Sequence, residues 1–257
     1  LWYRRQRQMC IRDSVGSWND VGINPIMTKK TKESLIDWCY AAVTFQALKG
    51  KRVVVFGHDS MGMETALPHV SATRNQFGIE ITRLDMKLLS DMLTKKSYDE
   101  RELLKLKKWI KSDCLKIEIP KETDEHNLDK SLALYLIVRD MMKELNAVGG
   151  GFMSQLEWGS DSRGIPLPVA DIMESLFNST FDHNGPKEVI PYATEADVQA
   201  LLTQLFMTWL SGGNPPLFMD FRKVWEPNEI KEFAKQNKVK LSGKSIWEKK
   251  GFVDGVN

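Results

Sequence analysis

The most informative part of the sequence is residues 189–220, VIPYATEADVQALLTQLFMTWLSGGNPPLFMD. Their pattern predicts a strand over residues 189–193, a helix over residues 195–210 and a second strand over residues 217–219. A short helical crossover of this kind typically joins two parallel strands of one sheet. The segment therefore predicts a parallel α/β unit.

The same alternation of strands and helices continues along the rest of the chain. Further strands are predicted at residues 51–56, 79–84 and 149–155. Helices are predicted at residues 31–48, 61–76, 86–93, 98–110, 128–145, 169–178 and 229–236, and Pro68 should bend the second of these or move its start. The order predicts an α/β fold with a mostly parallel sheet covered by helices on both faces.

The amino-acid composition excludes several classes of protein. The chain has 257 residues, of which 42% are hydrophobic and 27% charged, a balance typical of soluble globular proteins. The net charge of +2 gives no reason to expect nucleic acid or an acidic membrane as a partner. No apolar run approaches the roughly 20 residues of a membrane span. Three widely spaced cysteines form neither a disulfide framework nor a zinc pattern, which favours a reducing cytoplasm.

The two ends of the chain differ from the rest. Residues 1–14 are basic and lack an apolar period, and residues 9–13, MCIRD, are what a common transposon-type sequencing adaptor encodes. We interpret residues 1–14 as translated library sequence and expect the protein itself to begin upstream. Residues 251–257 have the pattern of a strand entering a turn.

Two acidic residues follow the predicted strands of the opening segment. Glu195 comes just after the first strand and Asp220 ends the second, so both are predicted at the carboxyl edge of the sheet, where α/β folds bind ligands. On neighbouring strands about 4.8 Å apart, two carboxylates would repel each other unless they shared a divalent cation. The alternative is that Thr194 caps the helix with Glu195 in its first turn, and that Asp220 only pairs with Arg222.

Several segments resemble L-fucose isomerases. YATEAD at residues 192–197 is similar to that family's Ala-Thr-Glu-Asn-Asp, and FMDFRKVW at residues 218–225 to its Phe-Ala-Asp-Val-Arg-Thr-Tyr-Trp. Similar segments also lie at residues 60–63 (SMGM), 138–142 (VRDMM) and 176–185 (LFNSTFDHNG). They occur in the family's order from about residue 31 to residue 257.

The resemblance implies a domain plan. Residues 31–213 would form the family's Rossmann-like middle domain, and residues 214–257 the beginning of its carboxyl-terminal domain, cut short. Residues 15–30 would be the end of a missing amino-terminal domain or a linker. No GxGxxG motif follows a strand, so the Rossmann-like shape implies no dinucleotide.

The resemblance also implies a metal-dependent aldose–ketose isomerase that works through a cis-enediol. Glu195 and Asp220 would be ligands of Mn²⁺ or another divalent cation and the proton-transfer pair. The family's third ligand, a histidine, would lie beyond Asn257, so this piece alone would be inactive. The full-length protein would be a homo-oligomer, acting on a sugar such as L-fucose or D-arabinose.

The sequence matches the family's sugar-binding segments less completely than its metal-binding ones. Gln155 lies in a segment similar to the family's Gly-Phe-Gln-Gly-Gln and is expected to hydrogen-bond a sugar hydroxyl, and Met61 is expected to touch the sugar. Met153 replaces the other amide of that motif, which puts recognition of L-fucose itself in doubt. His183 stands where the family has Trp and is expected to pack or cap a turn. An isomerase of another sugar, such as L-arabinose, and a non-catalytic sugar-binding or structural module remain the alternatives.

Overall fold

The computed structural model describes residues 33–57, 63–113, 117–119, 121, 124–153, 169–218, 220–238 and 252–256, and of residues 220–223 and 252–256 it describes only the backbone. The chain divides into two compact units, Leu1–Gln46 and Ala47–Asn257. The second unit contains the sheet and nearly all of the described elements.

Eight strands are described: β1 Arg52–Phe56, β2 Glu80–Leu84, β3 Ala147–Phe152, β4 Phe181–Asp182, β5 Gly185–Pro186, β6 Tyr192–Ala193, β7 Asp220–Trp225 and β8 Phe252–Val256. Four of them form a parallel sheet in the order β2-β1-β3-β6. β4 and β5 form a short antiparallel hairpin. The prediction of a parallel α/β sheet is therefore confirmed.

The helices described are α1 Glu33–Leu48, α2 Val70–Phe77, α3 Met86–Thr94, α4 Glu100–Asp113, α5 Glu125–Glu144, α6 Val169–Asn178, α7 Val198–Leu210 and α8 Pro227–Gln236. Short 3-10 turns lie at Glu64–Ala66 and Thr194–Ala196. Within the described part of the chain, no helix has the length and apolar character needed to cross a membrane.

Both faces of the parallel sheet are covered. Successive residues of β1 point to opposite faces, as the period of a strand requires. Val54 and Phe56 pack into one apolar cluster with residues of α3, α4, α5 and α6. Val53 and Val55 pack into a second cluster with residues of α7. A strand buried on both faces explains the unbroken apolar run of residues 53–56.

Most predicted elements are present, with shifted bounds. The helix predicted at residues 169–178 has the bounds of α6, Val169–Asn178. The helix predicted at residues 61–76 starts only at Val70, beyond Pro68, because proline has no backbone N–H and disfavours a helical residue before it. The strand predicted at residues 189–193 is shortened to Tyr192–Ala193.

The prediction of a second parallel strand at residues 217–219 is wrong. Residues 217 and 218 are not in a strand, and β7 begins at Asp220. β7 pairs in antiparallel register with β8, with Asp220 opposite Val256, and these two strands form a separate sheet. Asp220 therefore starts a strand instead of ending one, and that strand is not a neighbour of β6 in the parallel sheet.

The apolar residues of α1 are less buried than their helical spacing predicts. Leu35, Trp38 and Phe45 are exposed by 57%, 47% and 37%, while Leu48 is fully buried. Of these four side chains, only that of Leu48 is buried.

Candidate functional site

Glu195 lies in the turn that follows strand β6. Because the strands of the sheet are parallel, this turn lies at the carboxyl edge, where the sequence predicted it. Glu195 has a φ of 52° and a ψ of 24°, and Ala196 has a φ of 58°. Two successive non-glycine residues in the left-handed region are unusual, because the β-carbon then crowds the backbone. Such a turn persists only where its surroundings hold it.

The helix after this turn begins later than predicted. Asp197 is the N-cap of α7, and its carboxylate accepts a 2.9 Å hydrogen bond from the backbone N–H of Ala200. The interpretation of Thr194 as the helix cap, with Glu195 in the first helical turn, is therefore wrong. Glu195 precedes the helix.

Thr194 instead contacts a carboxyl group that the sequence analysis missed. Its hydroxyl donates a 2.7 Å hydrogen bond to Oε2 of Glu174, on helix α6. Glu174 is only 8% exposed, and its Oε1 has no hydrogen-bond partner among the described residues. One signal could have indicated this buried acid: Glu174 falls on the same helical face as the buried residues Ala170 and Phe177.

The surroundings of Glu174 are acidic as well as buried. Burial is the main reason why the pKa of its carboxyl group is raised to about 7. The hydrogen bond from Thr194 lowers this pKa, whereas the negative charges of Asp171 and Glu195 raise it. Asp171 and Glu195 therefore lie close enough to Glu174 to affect its ionisation.

A cavity of about 340 Å³ lies beside the turn. Its wall includes Glu174 and Asn178 of α6, Thr194 of the turn, Gln204 of α7 and the segment of residues 215–218. That segment leads directly to Met219 and Asp220. The cavity is polar on the α6 side and has room for a small molecule.

The strands that carry Glu195 and Asp220 are arranged differently from the prediction. The two residues do not lie at the ends of neighbouring strands, since β6 pairs with β3 and β7 with β8. The chain before Asp220 nevertheless returns to the cavity that Thr194 lines. The side chain of Asp220 lies outside what the structure describes, so the convergence of the two carboxylates stays a prediction.

The remaining predicted site residues fall outside the described part of the chain. Met61 lies between residues 57 and 63, and Gln155 follows residue 153, where the described ranges stop. Within the described ranges, no group of three or more His, Cys, Asp or Glu side chains is arranged to hold a metal ion.

His183 belongs to a separate polar cluster. Its side chain is fully buried, and its Nε2 lies 3.1 Å from Oε1 of Glu102. Arg139 donates two hydrogen bonds to the same carboxylate, 2.5 and 2.8 Å long. These contacts connect α4 and α5 to the turn between β4 and β5, in which His183 lies. The histidine therefore packs at a turn, as expected.

Comparison with known proteins places the chain in a family. Residues 51–212 match the family model described as "L-fucose isomerase, second N-terminal domain". The chain is 26% identical over 255 residues to the L-fucose isomerase of Clostridium perfringens, covering 88% of this chain and 41% of that protein.

Two other curated relatives give the same result. The chain is 28% identical over 228 residues to the L-fucose isomerase of Salmonella choleraesuis, covering 80% of this chain and 38% of that protein. It is 26% identical over 222 residues to that of Haemophilus influenzae, covering 77% of this chain and 37% of that protein. The chain thus spans about two fifths of the length of these relatives. The match over residues 51–212, on a parallel α/β sheet, means that this chain belongs to the L-fucose isomerase family, whose second N-terminal domain it contains.

Proposed function

We propose that this chain is part of an aldose–ketose isomerase and supplies two carboxylates, Glu195 and Asp220, to its active site. Membership of the L-fucose isomerase family supports this proposal, since each relative above is named for that activity. The structural observation that carries it is the position of Glu195. It stands in a left-handed turn at the carboxyl edge of the sheet, next to a cavity of about 340 Å³.

The donor atoms suit a hard divalent cation such as Mn²⁺. Carboxylate oxygens are the ligands that such ions prefer, and Glu195 and Asp220 would provide them. The resemblance to the family is the reason to expect a histidine as the third ligand, supplied by the complete enzyme. When bound, the cation would polarise the neighbouring oxygens O1 and O2 of the sugar.

The two carboxylates would also carry the proton transfer. Conversion of an aldose to a ketose removes the proton on C2, forms a cis-enediol and places a proton on C1. One carboxylate takes the proton from C2, exchanges it with solvent and gives a proton to C1, while the other carboxylate moves a proton from the hydroxyl oxygen O2 to O1.

The substrate would be a sugar such as L-fucose or D-arabinose. We assign Gln155 to a hydrogen bond with a sugar hydroxyl and Met61 to contact with the sugar, on the strength of the segments in which they lie. We further propose that the complete enzyme works in the cytoplasm as a homo-oligomer. Both assignments rest on the family, and the charge of +2 gives no reason to add nucleic acid as a partner.

Isomerisation in D₂O tests the proposal most directly. The complete enzyme, supplied with Mn²⁺ and L-fucose or D-arabinose, should give a ketose with deuterium on C1, because an enediol takes its proton from a group that exchanges with solvent. The variants Glu195→Gln and Asp220→Asn should each lose about 100-fold or more in kcat/KM, since general base catalysis contributes about that much.

A matched control variant is Glu188→Gln, which alters an exposed carboxylate on the loop before β6. It should isomerise at the wild-type rate. Wild-type activity in Glu195→Gln would refute the assigned role. A protein that binds the sugar in calorimetry but never isomerises it would be the non-catalytic sugar-binding module.

A further inference from the structure

We propose that Glu174 is a positioning residue that holds Glu195 in its left-handed turn beside the cavity. The proposal rests on the proposed function, because it gives Glu195 an active-site role. It assigns to helix α6 the task of fixing the geometry of a residue on a different element. Glu174 also lines the cavity, but the role assigned here is exerted through its Oε2 on the turn.

Glu174 contacts the turn through Thr194, and its carboxyl group lies near the backbone of Glu195. The hydroxyl of Thr194 donates a 2.7 Å hydrogen bond to Oε2 of Glu174. On the far side of Glu195, the N–H of Asp197 donates to the carbonyl oxygen of Thr194 over 3.0 Å, which closes the turn. Glu195 thus lies between Thr194, which Glu174 holds by a hydrogen bond, and Asp197, whose N–H closes the turn.

One helical turn further along, helix α6 also hydrogen-bonds strand β6. The side-chain amide of Asn178 donates to the carbonyl oxygen of Tyr192 over 2.9 Å, and its Oδ1 accepts from the N–H of Tyr192 over 3.1 Å. Residues four positions apart share one face of a helix. Asn178 therefore fixes the backbone of β6, and Glu174 fixes the turn that follows it.

The turn needs such support because of its backbone conformation. Glu195 and Ala196 have positive φ angles of 52° and 58° without being glycine. The left-handed region is unfavourable for both, so a free chain would leave it. The buried carboxyl group opposes this, because leaving the turn would deprive the hydroxyl of Thr194 of its acceptor.

Burying an acidic side chain at position 174 costs desolvation free energy, and packing alone does not require an acid there. Glu174 is 8% exposed, and an apolar side chain there would avoid the desolvation of a carboxyl group. An apolar side chain could not accept the bond from Thr194. Position 174 therefore requires a hydrogen-bond acceptor, and the volume of the side chain matters less.

The test compares Glu174→Ala, Glu174→Gln and Thr194→Val in the complete enzyme, with Glu188→Ala as the matched control at an exposed carboxylate. Mn²⁺ affinity is measured by titration, and kcat and KM are measured separately. Glu174→Ala should weaken Mn²⁺ binding by about 10–100-fold, the usual effect of removing a group that orients a ligand. It should lower kcat more than it raises KM, since the sugar contacts are left in place.

Glu174→Gln should recover most of both losses, because the amide oxygen accepts the same hydrogen bonds. Thr194→Val should resemble Glu174→Ala, and the double variant should be hardly worse than either, because both changes break one contact. Wild-type Mn²⁺ affinity and kcat in Glu174→Ala would overturn the proposal. If Glu174→Ala does not fold, an unchanged Thr194→Val enzyme would overturn it equally.

A crystal structure of the Thr194→Val variant separates this proposal from the proposed function. The backbone of Glu195 should leave the left-handed region, and a turn with unchanged φ would refute the positioning role even if the enzyme is active. Conversely, a wild-type protein without isomerase activity would refute the proposed function, while the displaced turn would still support the positioning role.

Discussion

The backbone of Gly151 passes close to that of Ala196. A β-carbon added to Gly151 would lie 2.9 Å from Cα of Ala196 and 3.3 Å from the carbonyl oxygen of Ala193. Gly151 is in the middle of the sheet, on β3, and Ala196 is in the turn that carries Glu195. The turn can approach the sheet this closely because residue 151 has no side chain.

We therefore expect Gly151→Ala to displace the turn. The atoms it meets belong to backbone, which yields less easily than a flexible side chain, so the free energy of unfolding should fall by about 1–3 kcal/mol. Activity of the complete enzyme should fall further than this loss of stability explains, because Glu195 moves with the turn. Chemical denaturation and steady-state kinetics measure the two effects.

Gly149→Ala provides the comparison for this prediction. Its added β-carbon would meet the carbonyl oxygen of Pro191 at 3.1 Å and a methyl group of Leu201 at 3.2 Å, but not the turn. It should cost stability without a matching loss of kcat. Equal losses of kcat in both variants would contradict the explanation.

The hydroxyl of Tyr192 should matter far less than its ring. Tyr192 is fully buried, and its ring stacks on Phe177 with centroids 4.7 Å apart, while its hydroxyl donates only to the thioether sulfur of Met173, 3.6 Å away. We expect Tyr192→Phe to change the free energy of unfolding by less than about 1 kcal/mol, because a thioether is a weak acceptor. Tyr192→Ala should cost about 3–5 kcal/mol, as buried aromatic truncations do. Urea denaturation of both variants measures the difference, and a large loss in Tyr192→Phe would contradict it.

The sheet could be predicted from sequence because its signals are local. The apolar run of residues 53–56 and the apolar period of residues 169–178 each specify one element. The position of Glu195 at the carboxyl edge follows from the order of those elements, and it is confirmed.

The cap of α7 could not be predicted in the same way. Thr194 and Asp197 are both good N-cap residues, three positions apart. The structure uses Asp197 because Glu195 and Ala196 have positive φ angles that a helix cannot contain, while the hydroxyl of Thr194 donates to Glu174, 20 residues away in sequence. A local pattern contains no information about that contact, so both the start of the helix and the role of Glu174 were missed.

The partner of β7 was beyond prediction for a related reason. Asp220 pairs with Val256, in a strand that starts at Phe252. The pattern of residues 217–225 indicates a strand but not its neighbour, and the short crossover before it favoured the parallel sheet. Strand pairing across such a separation depends on the whole fold.

The N-cap of α7 gives a prediction that is independent of catalysis. Asp197→Ala removes the 2.9 Å hydrogen bond to the N–H of Ala200 and should lower the free energy of unfolding by about 1 kcal/mol. Asp197→Asn should lose much less, because asparagine caps helices nearly as well. Thermal denaturation of the two variants measures the difference, and equal losses would mean that the charge of Asp197, and not its cap, stabilises the helix.

The ion pair between Glu102 and Arg139 should make stability depend on pH in the acid range. The two hydrogen bonds from Arg139 are the main reason why the pKa of Glu102 is lowered to about 2 from its usual 4.5, against the opposing effect of burial. A carboxyl group whose pKa is lower in the folded state stabilises that state above the unfolded pKa. Its contribution should therefore be complete above about pH 4.5 and lost as the pH falls towards 2.

We expect Glu102→Gln to lower the free energy of unfolding at pH 7 by about 1–3 kcal/mol, because it leaves Arg139 with a weaker partner. The loss should shrink as the pH falls from 4.5 towards 2, since the wild-type carboxylate is itself protonated there. The matched control is Glu100→Gln on the same helix, where a 66% exposed carboxylate pairs with Lys96. An exposed pair of this kind contributes less than about 1 kcal/mol, so equal losses in the two variants would show that the partly buried position of Glu102 adds nothing.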